Sequence, residues 1–228
     1  FDEIHEQAPD LFIDCTFETM GKLQLIDYAM CKHAEGNWLS NFEEPTPTGS
    51  LRVRNMAWWR SPAIPAASLV IGNTRLDDPD PVLHLKSLSG SLPIMLGDPR
   101  KLSGEQRAEC RELSNWLRIM QDRYNYMMFR QDLAGFGEPR EGHWDGFQRI
   151  NTDTRNGGIV GVFRQGAVEK SRVVPVRMLD PGSEYVISDG PSGKEIARMT
   201  GKELADTGFT VRLTEPYSGA LFEIRRLE

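Results

Sequence analysis

Over roughly the first 130 residues, short apolar runs alternate with stretches of helical spacing. The run DLFIDCT, Asp10 to Thr16, is almost continuously apolar and closes on polar residues, the pattern of a strand covered on both faces. From Gly21 to Ala34, Leu23, Ile26, Tyr28, Met30 and Cys31 recur at near-helical spacing, and EGNWLSNF, Glu35 to Phe42, reads as a second buried strand. A connection of that length predicts a βαβ unit with parallel neighbours and a right-handed crossover. Past Pro45 and Pro47, the second half of NMAWWRSPAIPAASLVIG predicts a helix starting near Pro62 with Ser61 as its cap. SLPIMLGDP, Ser91 to Pro99, predicts another strand. A long amphipathic helix follows from Ser103 to about Tyr124: Ser103 and Gln106 have capping-box spacing, and Ala108, Leu113, Trp116, Leu117 and Met120 form its apolar stripe. This part is α/β.

Beyond Gly135 the period shortens. GGIVGVFRQG, SRVVPVRML, SEYVISDG, KEIARMTG, GFTVRLTE and GALFEIRRL are six short β-type runs, and Phe209, Val211 and Leu213 alternate with polar neighbours. Asn156-Gly157, Asp180-Pro181-Gly182, Gly190-Pro191-Ser192-Gly193 and Ser218-Gly219 punctuate them as turns. The expectation is an α/β part over 1–134 and a small antiparallel β-sandwich over 135–228. The seam, AGFGEPREGHWDGFQRI, carries Phe136, Trp144 and Phe147 among its glycines and charges, so it is expected to pack against something.

The charge narrows the partners. The net charge of −6 comes from 33 acidic and 27 basic residues mixed throughout, which leaves no basic face for a phosphate backbone, so nucleic acid is excluded as a partner. The longest mainly apolar run, AIPAASLVIG, is broken by Pro65 and is far shorter than the ~20 residues of a membrane span, so a soluble chain with no membrane partner is expected. Cys15, Cys31 and Cys110 lack any C-x-x-C pairing, which reads as buried free thiols, and His5, His33, His84 and His143 show no metal-binding spacing. No metal and no cofactor are implied. The chain starts at Phe1 without an initiator Met or the regions of a signal peptide, as a fragment or a processed product would.

The order FDEIHEQAPDLFIDC, WLSN, LSGSLPIMLGDPRKLSGEQ, WDGFQR followed by GGIVGVFRQ, and finally YSGALFEI resembles the C-terminal half of the melibiase-type α-galactosidases of glycoside hydrolase family 36. The resemblance runs over nearly the whole chain. It implies a partial (β/α)8 (TIM) barrel, of which this chain supplies about four late strands, and a C-terminal β-sandwich. It further implies carbohydrate as the ligand, with the missing barrel half as a partner, supplied by a longer chain or by a second copy. Members cleave terminal α-galactosides with retention, using a nucleophilic carboxylate and an acid/base carboxylate held ~5 to 5.5 Å apart. The family's nucleophile lies in a K-W-D-type motif on an earlier strand, and this sequence contains no such motif.

The acid/base position falls in the family's W-x-S-Asp element, matched here by Trp38, Leu39, Ser40 and Asn41. An amide cannot deliver a proton to a departing alkoxide, so Asn41 implies a divergent site, or else a loop Asn that caps the next segment. The family's C-x-x-G sugar-binding element is matched at Cys15, but Glu18 replaces the Gly. Asp14 and Glu18, flanking Cys15 at a strand end, are candidate carboxylates of a sugar pocket, with a structural ion pair as the alternative for Asp14. Glu43 and Glu44 could stand in as acid or be solvated loop charge. Trp38, Trp58 and Trp59 offer aromatic faces to a sugar, although Trp58 and Trp59 suit packing equally. Asp98 reads either as a pocket residue or as an ordinary turn. Two functions follow: part of an α-galactoside hydrolase that is inactive when isolated, or a catalytically inactive carbohydrate-binding or scaffold module.

Overall fold

A computed structural model describes residues 1–16, 28–41 and 44–227. Its first part contains α1 (Asp2–Gln7), β1 (Asp14–Thr16), α2 (Tyr28–His33), β2 (Gly36–Asn41), α3 (Thr48–Arg60), β3 (Leu69–Arg75), α4 (Pro81–Leu88), β4 (Leu92–Leu96) and α5 (Gly104–Tyr124). The four strands form one parallel sheet in the order β1-β2-β3-β4, so the two strands expected to be parallel neighbours are adjacent. Leu69 and Ile71 of β3 pack with Val53 and Ala57 of α3 and Leu88 of α4, which bury one face of the sheet.

One expected element differs. The chain around Pro62 does not start an α-helix: α3 ends at Arg60 with Ser61 at its C-terminal cap, Ala66–Ser68 make only a short 3-10 turn, and β3 follows from Leu69. A short buried run has no periodicity to distinguish strand from helix. Here Pro62 and Pro65, together with the β-branched Val70 and Ile71, favour the extended form. The α4 helix was not foreseen, although its signals are ordinary: Asp80 caps it by accepting from the Leu83 N–H, and Pro81 opens its first turn. In α5 the expected capping box is complete, with Ser103 and Gln106 each bonded to the other's backbone. Leu113, Trp116, Leu117 and Met120 are buried as expected, whereas Ala108 is exposed and Cys110 takes its place in the stripe.

The second part contains β5 (Gln131–Asp132), β6 (His143–Ile150), β7 (Gly157–Gln165), β8 (Ser171–Val174), β9 (Glu184–Asp189), β10 (Glu195–Thr200), α6 (Gly201–Asp206), β11 (Phe209–Arg212) and β12 (Tyr217–Arg226). All six predicted β-type runs are strands, and the seam segment itself supplies β6. Six strands make an antiparallel sheet in the order β10-β9-β12-β7-β6-β5, and β8 pairs with β11 in a separate two-stranded sheet.

Alternation assigns the faces of the large sheet. Val160 and Val162 of β7, with Phe222 and Ile224 of β12, share a core with Val174, Phe209 and Val211 of the small sheet and Leu204 of α6. The opposite face presents Ile159, Phe163 and Leu221 to Leu83 and Leu85 of α4 and to Cys110, Leu113, Trp116 and Leu117 of α5. Every residue of β7 is accordingly buried. Two aromatic rings on the helix side lie over cross-strand glycines. Phe163 sits opposite Gly219, where a Cβ would come within 2.4 Å of its ring, and Phe147 sits opposite Gly161, where the distance would be 2.6 Å.

Candidate functional site

In a parallel α/β sheet, ligand groups gather where the strands end at their C-terminal edge. Here that edge is formed by Thr16, Asn41, Arg75 and Leu96. The β1 and β2 strands run in register, with Asp14 opposite Gly36, Cys15 opposite Asn37 and Thr16 opposite Trp38. Between β2 and β3 the register shifts: Trp38 pairs with Val70, while Asn41, three residues on, pairs with Gly72, only two residues on. The extra residue on β2 is accommodated as a local irregularity of the ladder, in the manner of a β-bulge.

Asp14 lies close to β2 because position 36 has no side chain: a Cβ on Gly36 would fall 2.6 Å from Asp14 Oδ1. Burial raises the Asp14 carboxyl above its ordinary value, against the opposing pull of the Trp38 backbone N–H that donates to it. Glu35 has the reverse balance. It accepts the Ile13 N–H at 2.8 Å and lies 3.0 Å from His5 Nε2, and these contacts hold it below the usual range.

Cys15, between the two carboxylates, is pushed up first by burial and then by the charges of Asp14 and Glu35. Its thiol is therefore expected to alkylate more slowly with iodoacetamide at pH 8 than free cysteine does. Asp14→Asn should raise that rate roughly two- to fivefold, as peptide-resolved mass spectrometry would read it. An unchanged rate would show that the Asp14 charge does not reach the thiol.

The structure thus brings Asp14, Cys15, Trp38 and the backbone of Asn41 to neighbouring strands at one edge. Glu18 and Glu43 lie outside the described residues. Glu44 pairs with Arg52 Nε at 2.9 Å. Asp98 follows β4 and is closed into a local turn, accepting from the Arg100 backbone at 3.0 Å and from its guanidinium at 2.8 Å, contacts that lower its pKa. Trp58 and Trp59 lie on α3, not on a strand end. Trp58 is half-buried beneath the Arg130 guanidinium, 6.0 Å from the ring centroid. Trp59 is 61% exposed, and its indole N–H donates to Glu138 at 2.9 Å beside a cleft of about 440 Å³ that it lines with Arg52, Asn55, Met56 and Arg60. Among the described residues no cluster of three or more His, Cys, Asp or Glu could hold a metal ion. No described helix is long and apolar enough to cross a membrane.

Sequence reasoning missed the most elaborate polar cluster, which joins α3 to the large sheet. Arg54 grips Asp145 with Nε at 2.7 Å and Nη2 at 3.1 Å, and it also donates to Gln165 at 2.8 Å and to Ser87 at 2.9 Å. Asp145 is wholly buried, and burial drives its carboxyl up against the attraction of Arg54. The signal was present, since Asp145 belongs to WDGFQR and Gln165 to GVFRQ, the late motifs of the resemblance. Both motifs meet on one arginine.

No family model matches the sequence, and no curated protein matches it. Solved structures do. The galactosidase domain of the α-galactosidase-sucrose kinase AgaSK is similar over 99% of this chain and 30% of its own, at 16% identity and a TM-score of 0.75. The GH36 α-galactosidase AgaB from Geobacillus stearothermophilus gives the same coverage at 14% identity and a TM-score of 0.77. An α-galactosidase from Lactobacillus brevis covers 100% of this chain and 30% of its own at 15% identity and a TM-score of 0.71. Substituted forms of AgaA, also from G. stearothermophilus, match likewise in complexes with raffinose and with 1-deoxygalactonojirimycin. This chain has the fold of the C-terminal part of GH36 α-galactosidases and spans less than a third of their length.

Proposed function

We propose that this chain is the C-terminal part of a glycoside hydrolase of the α-galactosidase kind and contributes one side of a pocket for terminal α-galactosides. In this reading β1 to β4 are late staves of a (β/α)8 barrel. The missing staves, supplied by a longer chain or another molecule, carry the nucleophile. The observation that carries the reading is the in-register pairing of β1 with β2, which puts Asp14, Cys15, Trp38 and position 41 at one sheet edge. The four exposed apolar residues Phe1, Ile4, Leu11 and Phe12, ahead of the edge strand β1, suit a surface that the missing region covers.

Chemically, the indole of Trp38 gives a flat apolar surface to the C–H face of a galactose ring. Retaining hydrolysis needs one carboxylate to attack and a second to protonate the leaving oxygen. Asn41, at the position of the second, can hydrogen-bond a hydroxyl but cannot act as the acid. The same residue favours the other reading, a carbohydrate-binding module without catalysis. Asp14, whose carboxyl burial raises above its ordinary value, is the described carboxyl at this strand-end edge, so a hydrolase of altered design would draw on it.

The test uses the 228-residue chain itself. Galactose at tens of millimolar is expected to shift the indole N–H resonance of Trp38 and leave that of Trp116, buried between α5 and the large sheet, in place. An aryl α-galactoside should remain uncleaved. A Trp38 signal indifferent to galactose would remove the sugar site, and clear turnover would refute the claim that the nucleophile lies elsewhere.

A further inference from the structure

Between α3 and the helix-facing side of the large sheet lies a cavity of about 30 Å³, lined by Arg54, Trp58, Arg130, Asp132, Asp145 and Arg149 among others. It is far too small for a sugar ring. A water needs roughly 10–15 Å³ on this measure, so the space suits one or two waters or a single small ion.

The charges around it do not balance. Three guanidiniums and two carboxylates line the cavity, an excess of one positive charge. Two of the cations are matched: Arg54 is held bidentately by Asp145, and Arg130 pairs with Asp132 at 2.8 Å. Arg149 is left over. Only 4% exposed, it donates to two neutral acceptors, the Gln148 carbonyl at 3.1 Å and the Gly90 carbonyl at 2.9 Å, and its Nε–H has no partner among the described residues. Its guanidinium also stands 5.0 Å from the Phe147 ring. Burial and the nearby Arg130 charge lower its pKa to about 10, so it stays charged at neutral pH in a setting that penalises charge. Buried charges are ordinarily paired, and a buried N–H without an acceptor is rare in folded proteins.

We propose that this cavity is a binding site for one small monovalent inorganic anion of chloride size, held by the unpartnered Nε–H and the charge of Arg149. An anion there neutralises the surplus charge, supplies the missing acceptor and fits the space, whereas a neutral water would meet only the second and third needs. The site lies at the junction of α3 and β6, apart from the strand-end edge, and does not depend on the glycosidase reading.

The experiment compares melting temperatures of the chain in sodium chloride and in sodium gluconate at constant ionic strength, gluconate being too large for the cavity. Chloride at ten times its half-saturating concentration should raise the melting temperature by roughly 4 °C, along a saturable curve. Arg149→Met, which keeps the bulk and removes the charge, should lose that response. Should this variant fail to fold, bromide soaked into crystals of the unaltered chain decides by its anomalous signal: a peak within hydrogen-bond reach of Arg149 Nε supports the site. Equal melting in the two salts, or bromide absent from the cavity, overturns it.

Discussion

Replacing Arg54 by Met is expected to destabilise the chain by about 3–5 kcal/mol, because it strands Asp145 as a buried carboxylate without its counter-charge. Urea denaturation at pH 7.5 would read this directly. The loss should depend on pH in a definite sense. Burial already holds the Asp145 carboxyl above its ordinary value, and removing the guanidinium pushes it further up. The folded variant then keeps a proton that the unfolded chain gives up near pH 4, so its stability falls as pH rises through that window. The deficit relative to the parent should shrink as pH falls toward 4, since below that the group is protonated in the folded and unfolded states alike. A deficit of equal size at pH 4.5 and 7.5 would absolve Asp145. Replacing Asp145 by Leu alongside Arg54→Met should recover much of the loss, since an apolar pair of similar bulk leaves no charge to desolvate.

The second large effect is expected at Phe163. This ring is fully buried, fills the space that Gly219 leaves open across the ladder, and stacks beneath the Arg54 guanidinium at 4.4 Å. Phe163→Ala should cost about 3–5 kcal/mol, for lost transfer energy together with a cavity that the close-packed helices cannot collapse. Because the ring and the guanidinium touch, the double variant with Arg54→Met should lose about 0.5–3 kcal/mol less than the sum of the single losses. Strict additivity in a denaturation series would show that the ring neither shields nor positions the Arg54–Asp145 pair.

These two residues also show where sequence reading stopped. The β7 run GGIVGVFRQ and the capped α5 were legible because each carries its own period and its own punctuation. The β3 strand was not, since Leu69-Val70-Ile71 has no period to read and follows a proline-rich stretch that also fits a helix start. The Asp145-Phe147-Arg149 face of β6 carries two charges around one ring, so the sequence indicated only that the seam packs, and what covers it is α3 and the turn after α4. Alternation tells which residues share a face, and only tertiary packing tells what covers that face. The candidate site divides in the same way. Adjacent strand ends at Cys15 and Asn41 followed from the βαβ spacing. The register shift between Trp38 and Asn41 depends on a pairing partner remote in the chain, and Trp58 and Trp59 fall on α3 in a stretch with little apolar periodicity to read.

The strand order carries a consequence for biosynthesis. In the large sheet β12 lies between β7 and β9, so a strand made well after its neighbours is a central stave. About fifty residues separate β7 from β12, and at the usual 5–20 residues per second the ribosome needs several seconds to bridge them. Throughout that interval β7 waits with one flank unsatisfied and its valines uncovered. A nascent chain in this state is an evident client for chaperones that bind extended apolar segments, and shortening the polypeptide by even one strand from its C-terminal side would leave it there permanently.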